Sequence, residues 1–280
     1  MDERYLREDL ADQTTPGSLF HWACGVALSA ATADVYRNKE GRKTLRFECK
    51  DRSYFLKLHT GVGWPEILKN LVQLRMPVLG AKNEYRAVNS LRELGVDTMS
   101  VAAYASEGAN PATLHSLIVT DDLVGTISLE DYCAQWALHP PVISTRLRII
   151  KKLADSAGRM HRAGINHRDF YLCHFHLAPQ SLADREIRCY LIDLHRAQIR
   201  SHTPRRWLVK DLAGLYFSAM DTGLSRRDLL RFMHHYCEGG LRQALGQQAS
   251  IWRDVETRAL KLYRKENGGE PPALLGGTAQ

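Results

Sequence analysis

The sequence lacks the features that would cross a membrane or staple a fold covalently. Its six cysteines, at 24, 49, 133, 173, 189 and 237, stand far apart with no Cys-x-x-Cys pair. That spacing argues against a disulfide framework and for reduced thiols in the cytosol. Long apolar runs are missing too. The longest uncharged stretch, Gln13–Ala33, is diluted by Thr14, Thr15, Pro16, Gly17, Ser18, His21 and Ser29. Its more apolar part, Leu19–Ala33, is shorter than the roughly 18 residues of a spanning helix. The start, Met1-Asp2-Glu3-Arg4-Tyr5, has no basic-then-apolar signal pattern. No internal repeat is found.

What is present is a globular balance: 280 residues, 44% hydrophobic and 25% charged, enough to bury a large core without staples. Basic residues exceed acidic ones, 38 to 31, for a net charge of +7. Such a charge suits nucleic acid, an anionic membrane surface or a phosphate-bearing substrate, and other residues must choose among them.

Strand patterns come first along the chain. Apolar positions alternate in Thr44–Lys50, Asp51-Arg52-Ser53 reads as a turn, and Tyr54–Leu58 as the next strand. Gly61-Val62-Gly63-Trp64-Pro65 breaks the run, and helices are expected over Glu66–Arg75 and Asn83–Leu94, the second stopped by Gly95. Strands return near Met99–Ala103 and Leu117–Thr120. From Ser128 the character turns helical. Leu147, Ile150, Ala154, Ala157, Met160 and His161 mark one face of a helix that Gly164 ends. A short strand, Arg188–Ile192, precedes helices over Asp211–Met220, Arg226–Glu238 and Ile251–Lys265. The expectation is an α+β, bilobal protein-kinase-like fold with a small β-rich N-lobe and a larger helical C-lobe. It divides into an N-terminal extension (1–33), an N-lobe (34–124), a C-lobe (125–265) and a loose glycine- and proline-rich tail (266–280).

Five features stand in one order: Lys57 inside a strand, Glu84 opening a helix, His167-Arg168-Asp169 after the long helix, Asp193 after a short apolar strand, and Lys210-Asp211 at the start of a later helix. This is the order of a kinase. Phosphoryl transfer asks a protein mainly to neutralise charge and hold the donor in line. Lys57, fixed by Glu84, would hold the phosphates of ATP, Asp193 would bind Mg²⁺, and Asp169 would orient the acceptor hydroxyl and take its proton. Asp211 is expected to brace the loop by hydrogen bonds. Two features depart from the general pattern. His174 stands where a kinase usually has an asparagine as second metal ligand; a neutral imidazole can bind a metal, although hard Mg²⁺ prefers oxygen. The glycine-rich loop is absent from Val35–Arg42, so Lys39 and Arg42 are expected to contact phosphate instead. Asp193 is followed by Leu194-His195-Arg196 rather than Phe-Gly.

Eight runs carry a more specific signal, and several of them belong to no general kinase pattern. The eight are Gly41–Arg46, Gly61–Ile67, Lys69-Asn70-Leu71, Pro77–Ala81, Gly164–Asp169, Cys173-His174-Phe175, Ile192–Gln198 and Lys210–Ala213. In these the sequence resembles the lipopolysaccharide core heptose(I) kinases of Gram-negative bacteria, over about residues 34–265. The resemblance implies ATP-dependent phosphorylation of the 4-hydroxyl of the first inner-core heptose, with Asp169 as catalytic aspartate. It implies that His174 and the missing glycine loop are family traits.

Other segments carry further expectations. His167, Cys173, His174 and His176 fit no zinc spacing and read better as loop-shaping residues. The 26 residues between Lys57 and Glu84 (58–83) exceed what a strand-to-helix link needs. Within them, 64–79 reads as an extra helix or as a basic, apolar surface for an acidic or acyl-bearing carrier protein or a membrane leaflet. Arg205-Arg206, Arg226-Arg227, Arg146, Arg148, Lys151 and Lys152 are either solvated faces or contacts to a polyanionic acceptor, with Arg205 and Arg206 favoured. Only 17 residues (194–210) separate Asp193 from Asp211, too few for a long phosphorylatable segment. That shortness favours a glycan acceptor over a protein (tyrosine) kinase role, and a weakly catalytic nucleotide-binding scaffold is the other alternative. No nucleic-acid partner is expected. The expected location is cytoplasmic, peripheral to the inner membrane face.

Overall fold

A computed structural model of the chain describes residues 3–12, 14, 18–39, 41–61, 63–72 and 80–275; the side chains of Lys39, Glu66, Asn70 and Leu71 also lie outside the description. The chain divides into two units, Met1–Asn89 with Met99–Val124, and Ser90–Thr98 with Gly125–Gln280.

The first unit runs β1 (Glu3–Leu6), α1 (Glu8–Ala11), α2 (Leu19–Ser29), β2 (Val35–Lys39), β3 (Arg42–Cys49), β4 (Arg52–Thr60), α3 (Gly63–Val72), α4 (Lys82–Glu93, its last turn in the second unit), β5 (Val101–Glu107) and β6 (His115–Asp121). Its strands form one antiparallel sheet in the order β1-β5-β6-β4-β3-β2. On β4 the two-residue period decides which side chains face where. Tyr54, Leu56 and Leu58 are buried with Leu45, Leu117 and Val119 against Leu19, Ala23 and Ala27 of α2. Lys57 therefore points to the other face, with its register partners Thr44 and Ile118. That face carries α4, where Tyr85 stacks on Tyr104 at 4.1 Å between ring centroids.

The described residues among the first thirty hold more regular structure than their weak pattern suggests. β1 pairs with β5, and α2 starts at Ser18, whose hydroxyl accepts hydrogen bonds from the Phe20 and His21 amides. α2 is apolar almost all round, so no 3.6-residue stripe marks it in the sequence. The expected helix at Glu66–Arg75 begins earlier, at Gly63, and residues 73–79 lie outside the described residues.

The second unit contains β7 (Ile127–Ser128), α5 (Leu129–Cys133), α6 (Ile143–Arg162), β8 (Ile165–Asn166), β9 (Phe175–Leu177), β10 (Cys189–Leu191), β11 (Gln198–Ile199), α7 (Arg205–Ala219), α8 (Arg226–Tyr236), α9 (Gly240–Leu245) and α10 (Ala249–Asn267). α6 buries Ile149, Ile150, Leu153, Ala154, Ala157, Met160 and His161 and packs on α8, while α7 packs on α10. Arg146 of α6 is buried against Asp228 of α8 at 2.9 Å, and it also donates to the Gly223 carbonyl at 2.6 Å. Asp228 doubles as the partner of Ser225 in a capping box, so one carboxylate starts α8 and fastens it to α6.

Two expectations change here. α7 begins at Arg205, not at Asp211, so Lys210 and Asp211 sit inside the helix; its weak amphipathic pattern hides the first turn. The tail is tied down through Leu275, whose amide donates to the Leu224 carbonyl at 2.8 Å, while Glu270 pairs with Arg264 at 2.7 Å. Residues 276–280 lie outside the described residues.

Gly164 turns the chain from α6 into β8 with φ of +79°, and a Cβ there would overlap the carbonyl oxygen of Arg200. Gly164→Ala should therefore lose at least about 2 kcal/mol of stability, read as a lowered Tm by circular dichroism. An unchanged Tm would mean that the turn does not need glycine.

Candidate active site

In the first unit, β4 and α4 bring Lys57 and Glu84 together, with Nζ and Oε1 2.6 Å apart and side chains 17% and 1% exposed. Glu84 Oε2 is buried with no hydrogen-bond partner among the described residues. A buried pair of this kind adds little net stability, but removing one partner leaves a stranded charge; its use is to fix an ammonium in one place. Arg42, at the start of β3, opposes His59 in register and so shares the face of Lys57. Lys39 is Arg42's register partner across the β2–β3 turn, and its side chain lies outside the described residues. The turn's one glycine, Gly41 (φ +68°), is there because a Cβ would overlap the Gly61 carbonyl oxygen, a packing reason rather than a phosphate cradle.

In the second unit, the loop after β8 is held by Asp211 of α7. Its buried carboxylate accepts from the His167 amide at 2.6 Å and the Arg168 amide at 2.8 Å, the expected brace. Arg168 is held at φ +77° and Asp193 at φ +61°, a left-handed backbone that non-glycine residues adopt at a cost and that clusters at functional sites. The His167 ring is fully buried. Its Nε2 donates to the Ile192 carbonyl at 2.9 Å, and its Nδ1 accepts from the Asp169 amide at 3.3 Å, so one neutral imidazole ties the segment before Asp193 to Asp169. Burial pushes its pKa below the ordinary value, with Asp211 opposing.

The Asp169 carboxylate receives Nη1 of Arg196 on both oxygens, at 3.1 and 3.0 Å. Nδ1 of His174 donates to the Asp169 carbonyl at 2.6 Å, and its Nε2 lies 3.7 Å from Oδ2 of Asp193. His195 Nδ1 takes Oδ1 of Asp193 at 2.6 Å. For His174, burial works against the charged form. Hydrogen bonds to Cys173 and the Asp169 carbonyl outweigh it with help from Asp193, so the pKa is raised to about 9. Among the described residues no three His, Cys, Asp or Glu side chains form a ready metal cage. Mg²⁺ commonly takes one or two carboxylates, substrate phosphates and water, and Oδ2 of Asp193 fits that requirement.

Asp169, His174 and Asp193 thus come together, while most of the basic residues weighed as acceptor contacts do not join them. Arg205 pairs with Asp254 at 2.5 Å, Lys151 with Asp155, and Lys152 with Asp97. Arg148 donates to the carbonyls of Leu182 and Asp184. Reading the sequence missed Arg196 and His195 as site residues. Their signal was the Leu-His-Arg that replaces Phe-Gly after Asp193.

Residues 26–236 match the Lipopolysaccharide kinase (Kdo/WaaP) family. The chain belongs to this family. Within it, an Escherichia coli protein, lipopolysaccharide core heptose(I) kinase WaaP, is 50% identical over 233 residues, 83% of this chain and 88% of its own length. The Pseudomonas aeruginosa protein of that name is 47% identical over 246 residues, 87% of this chain and 92% of its own. A solved structure described as WaaP in complex with acyl carrier protein superimposes with a TM-score of 0.79 at 40% identity, covering 93% of this chain and 99% of the other. As a member of the Kdo/WaaP family, this chain is a phosphotransferase with the α+β, kinase-like fold of that structure.

The two histidines make stability depend on pH in opposite senses. His167 is depressed, so its contribution is lost as pH falls below the unfolded value of about 6.5. His174 is raised, so its contribution is complete below about 6.5 and lost as pH rises towards about 9. Without nucleotide or metal, stability should fall between pH 7 and 9 by up to about 1.4 kcal/mol per unit from His174. Denaturant melts of His174→Gln should show a flatter profile over that range; the same slope as wild type would refute the assignment.

Proposed function

We propose that this chain transfers the γ-phosphate of ATP to the 4-hydroxyl of the first heptose in the inner core of lipopolysaccharide. The observation that carries the reading is the Asp169 carboxylate, oriented through both oxygens by Arg196 on a loop braced by Asp211, in a chain about 50% identical to named heptose(I) kinases.

Each residue has a role. Lys57, anchored by Glu84, takes the α- and β-phosphates, and Arg42 with Lys39 adds positive charge where other kinases use glycine amides. Asp193 would hold Mg²⁺, with the neighbouring His174, 3.7 Å from its carboxylate, as a second ligand when its imidazole is neutral. The ion would supply charge neutralisation on the phosphates. Asp169 accepts the hydrogen bond of the heptose hydroxyl and takes its proton as the oxygen–phosphorus bond forms; the β–γ bridging bond breaks and ADP departs with that electron pair.

The proposed setting is the cytoplasmic face of the inner membrane, at its surface. No described helix is long and apolar enough to cross a bilayer, and the net charge of +7 suits an anionic glycolipid. An acyl-bearing carrier protein is the proposed partner, in line with the acyl carrier protein bound to the related WaaP. α3 leaves Trp64, Leu68 and Val72 exposed for such a contact. An apolar cavity of about 460 Å³ in the second unit, lined by Ile150, Leu153, Leu215, Leu229, Phe232 and Trp252, has the volume and polarity for an acyl chain.

Asp169→Ala should fold and bind ATP, yet phosphorylate heptose-bearing core glycolipid about 10²–10⁴-fold more slowly. Lys57→Ala should lose turnover with weakened ATP placement. Wild-type rates from a folded Asp169→Ala protein would overturn the reading.

A further inference from the structure

Three cations meet on one indole in the second unit. The guanidinium of Arg168 lies 5.0 Å from the centre of the Trp207 ring, that of Arg206 5.0 Å, and Nζ of Lys210 5.7 Å. Lys210 also donates to the Arg168 carbonyl at 2.6 Å, which places the group at the peptide preceding Asp169. None of the three forms an ion pair with a described carboxylate. The two acids at hand are already spent: Asp169 on Arg196, and Asp211 on backbone amides. The neighbouring Arg205 is paired with Asp254, and Arg200 donates to the side-chain carbonyls of Asn166 and Gln198.

Like charges gathered without a paired carboxylate repel, and burial raises the cost of keeping Lys210 and Arg168 charged. Burial lowers the pKa of Lys210, with Arg168 and Arg196 adding to the effect and Asp169 opposing. Burial followed by Arg196 lowers that of Arg168. Arg168 Nε is in addition buried without an acceptor among the described residues. An indole face softens the cost of assembling these cations but does not neutralise them. A bound anion does, and an anion that draws the Arg168 side chain outward gives Nε its acceptor.

We infer that Arg168, Arg206 and Lys210 on Trp207 bind an acidic group of the acceptor glycan, a sugar carboxylate or a phosphate next to the reacting heptose. The inference rests on the phosphotransferase reading and adds to it the feature by which the acceptor is chosen. Arg206 is exposed at the start of α7 and meets the incoming anion first; Lys210 and Arg168 lie deeper, towards Asp169. A neutral glycan with the same hydroxyl would leave the cations uncompensated and be a poor substrate.

The test compares wild type with Arg206→Gln and with Arg206→Gln/Lys210→Gln. The acceptors are heptose-bearing core glycolipid in its acidic form, with its sugar carboxyls reduced to alcohols, with its phosphates removed, and with both changes. On the acidic acceptor the KM should rise about 10- to 100-fold, the range for losing hydrogen bonds to a charged group, while the KM for ATP stays within about twofold. The gap between wild type and variants should close on the acceptor that lacks the bound group, which identifies carboxylate or phosphate as its source. An unchanged acceptor KM, or an equal penalty on the acceptor lacking both groups, overturns the proposal. Direct calorimetric binding of the acidic glycolipid without ATP separates this proposal from the catalytic reading. Wild type that binds it more tightly than Arg206→Gln but transfers no phosphate would keep the anion site and discard the heptose kinase assignment. Equal binding by both proteins would discard the site.

Discussion

The carboxylate of Asp211, buried in α7, accepts the amides of two successive residues, His167 and Arg168. Hydrogen bonds to a charged acceptor contribute about 1.5–3 kcal/mol each, and a non-glycine residue held at positive φ costs about 1–3 kcal/mol. Two such bonds therefore outweigh the strain at Arg168 (φ +77°) and can hold a turn that the loop would not choose alone. With the turn held, the rest of the loop falls into place. The Asp169 amide reaches His167, the Asp169 carboxylate meets Arg196, and the Asp169 carbonyl meets His174.

The two buried ion pairs serve different ends. Arg146–Asp228 has nearly every polar atom used, by Gly223, Ser225 and Arg231 as well as by each other, and it fastens α6 to α8. Lys57–Glu84 leaves Glu84 Oε2 without a hydrogen-bond partner among the described residues and holds its ammonium on the sheet face that α2 does not cover. The more fully satisfied pair is architecture. The under-satisfied pair keeps a charge in position for something else, which is the pattern expected of a binding group.

The net charge of +7 resolves in the same way. Much of the positive charge in α6 and at the start of α7 is matched inside the protein, by Asp97, Asp155, Asp228 and Asp254. Arg148 and Arg159 are taken up by backbone carbonyls, whereas Arg168, Arg206 and Lys210 gather around Trp207 without an ion pair to a described carboxylate, beside the loop that carries the proposed base. A composition figure says that the chain tolerates anions; only the pairing pattern shows where one is wanted.

Local pattern was enough for the alternating strands β3 and β4, the amphipathic α6 with its glycine stop, and the order of Lys57, Glu84, His167-Arg168-Asp169 and Asp193. A two- or three-to-four-residue period and a short motif are properties of neighbouring residues, so sequence alone carries them. It could not supply α2, or the first turn of α7, where the period is blurred, nor the tie at Leu275, which rests on a hydrogen bond to a residue some fifty positions earlier. Above all it could not say that Arg196 lies on Asp169, or that Arg205 and Arg206, adjacent and chemically identical, part company, one to Asp254 and the other to Trp207. Those facts depend on which side chains long-range packing brings within a few ångströms, and charge–charge and hydrogen-bond energies fall off too steeply for chain order to stand in for distance.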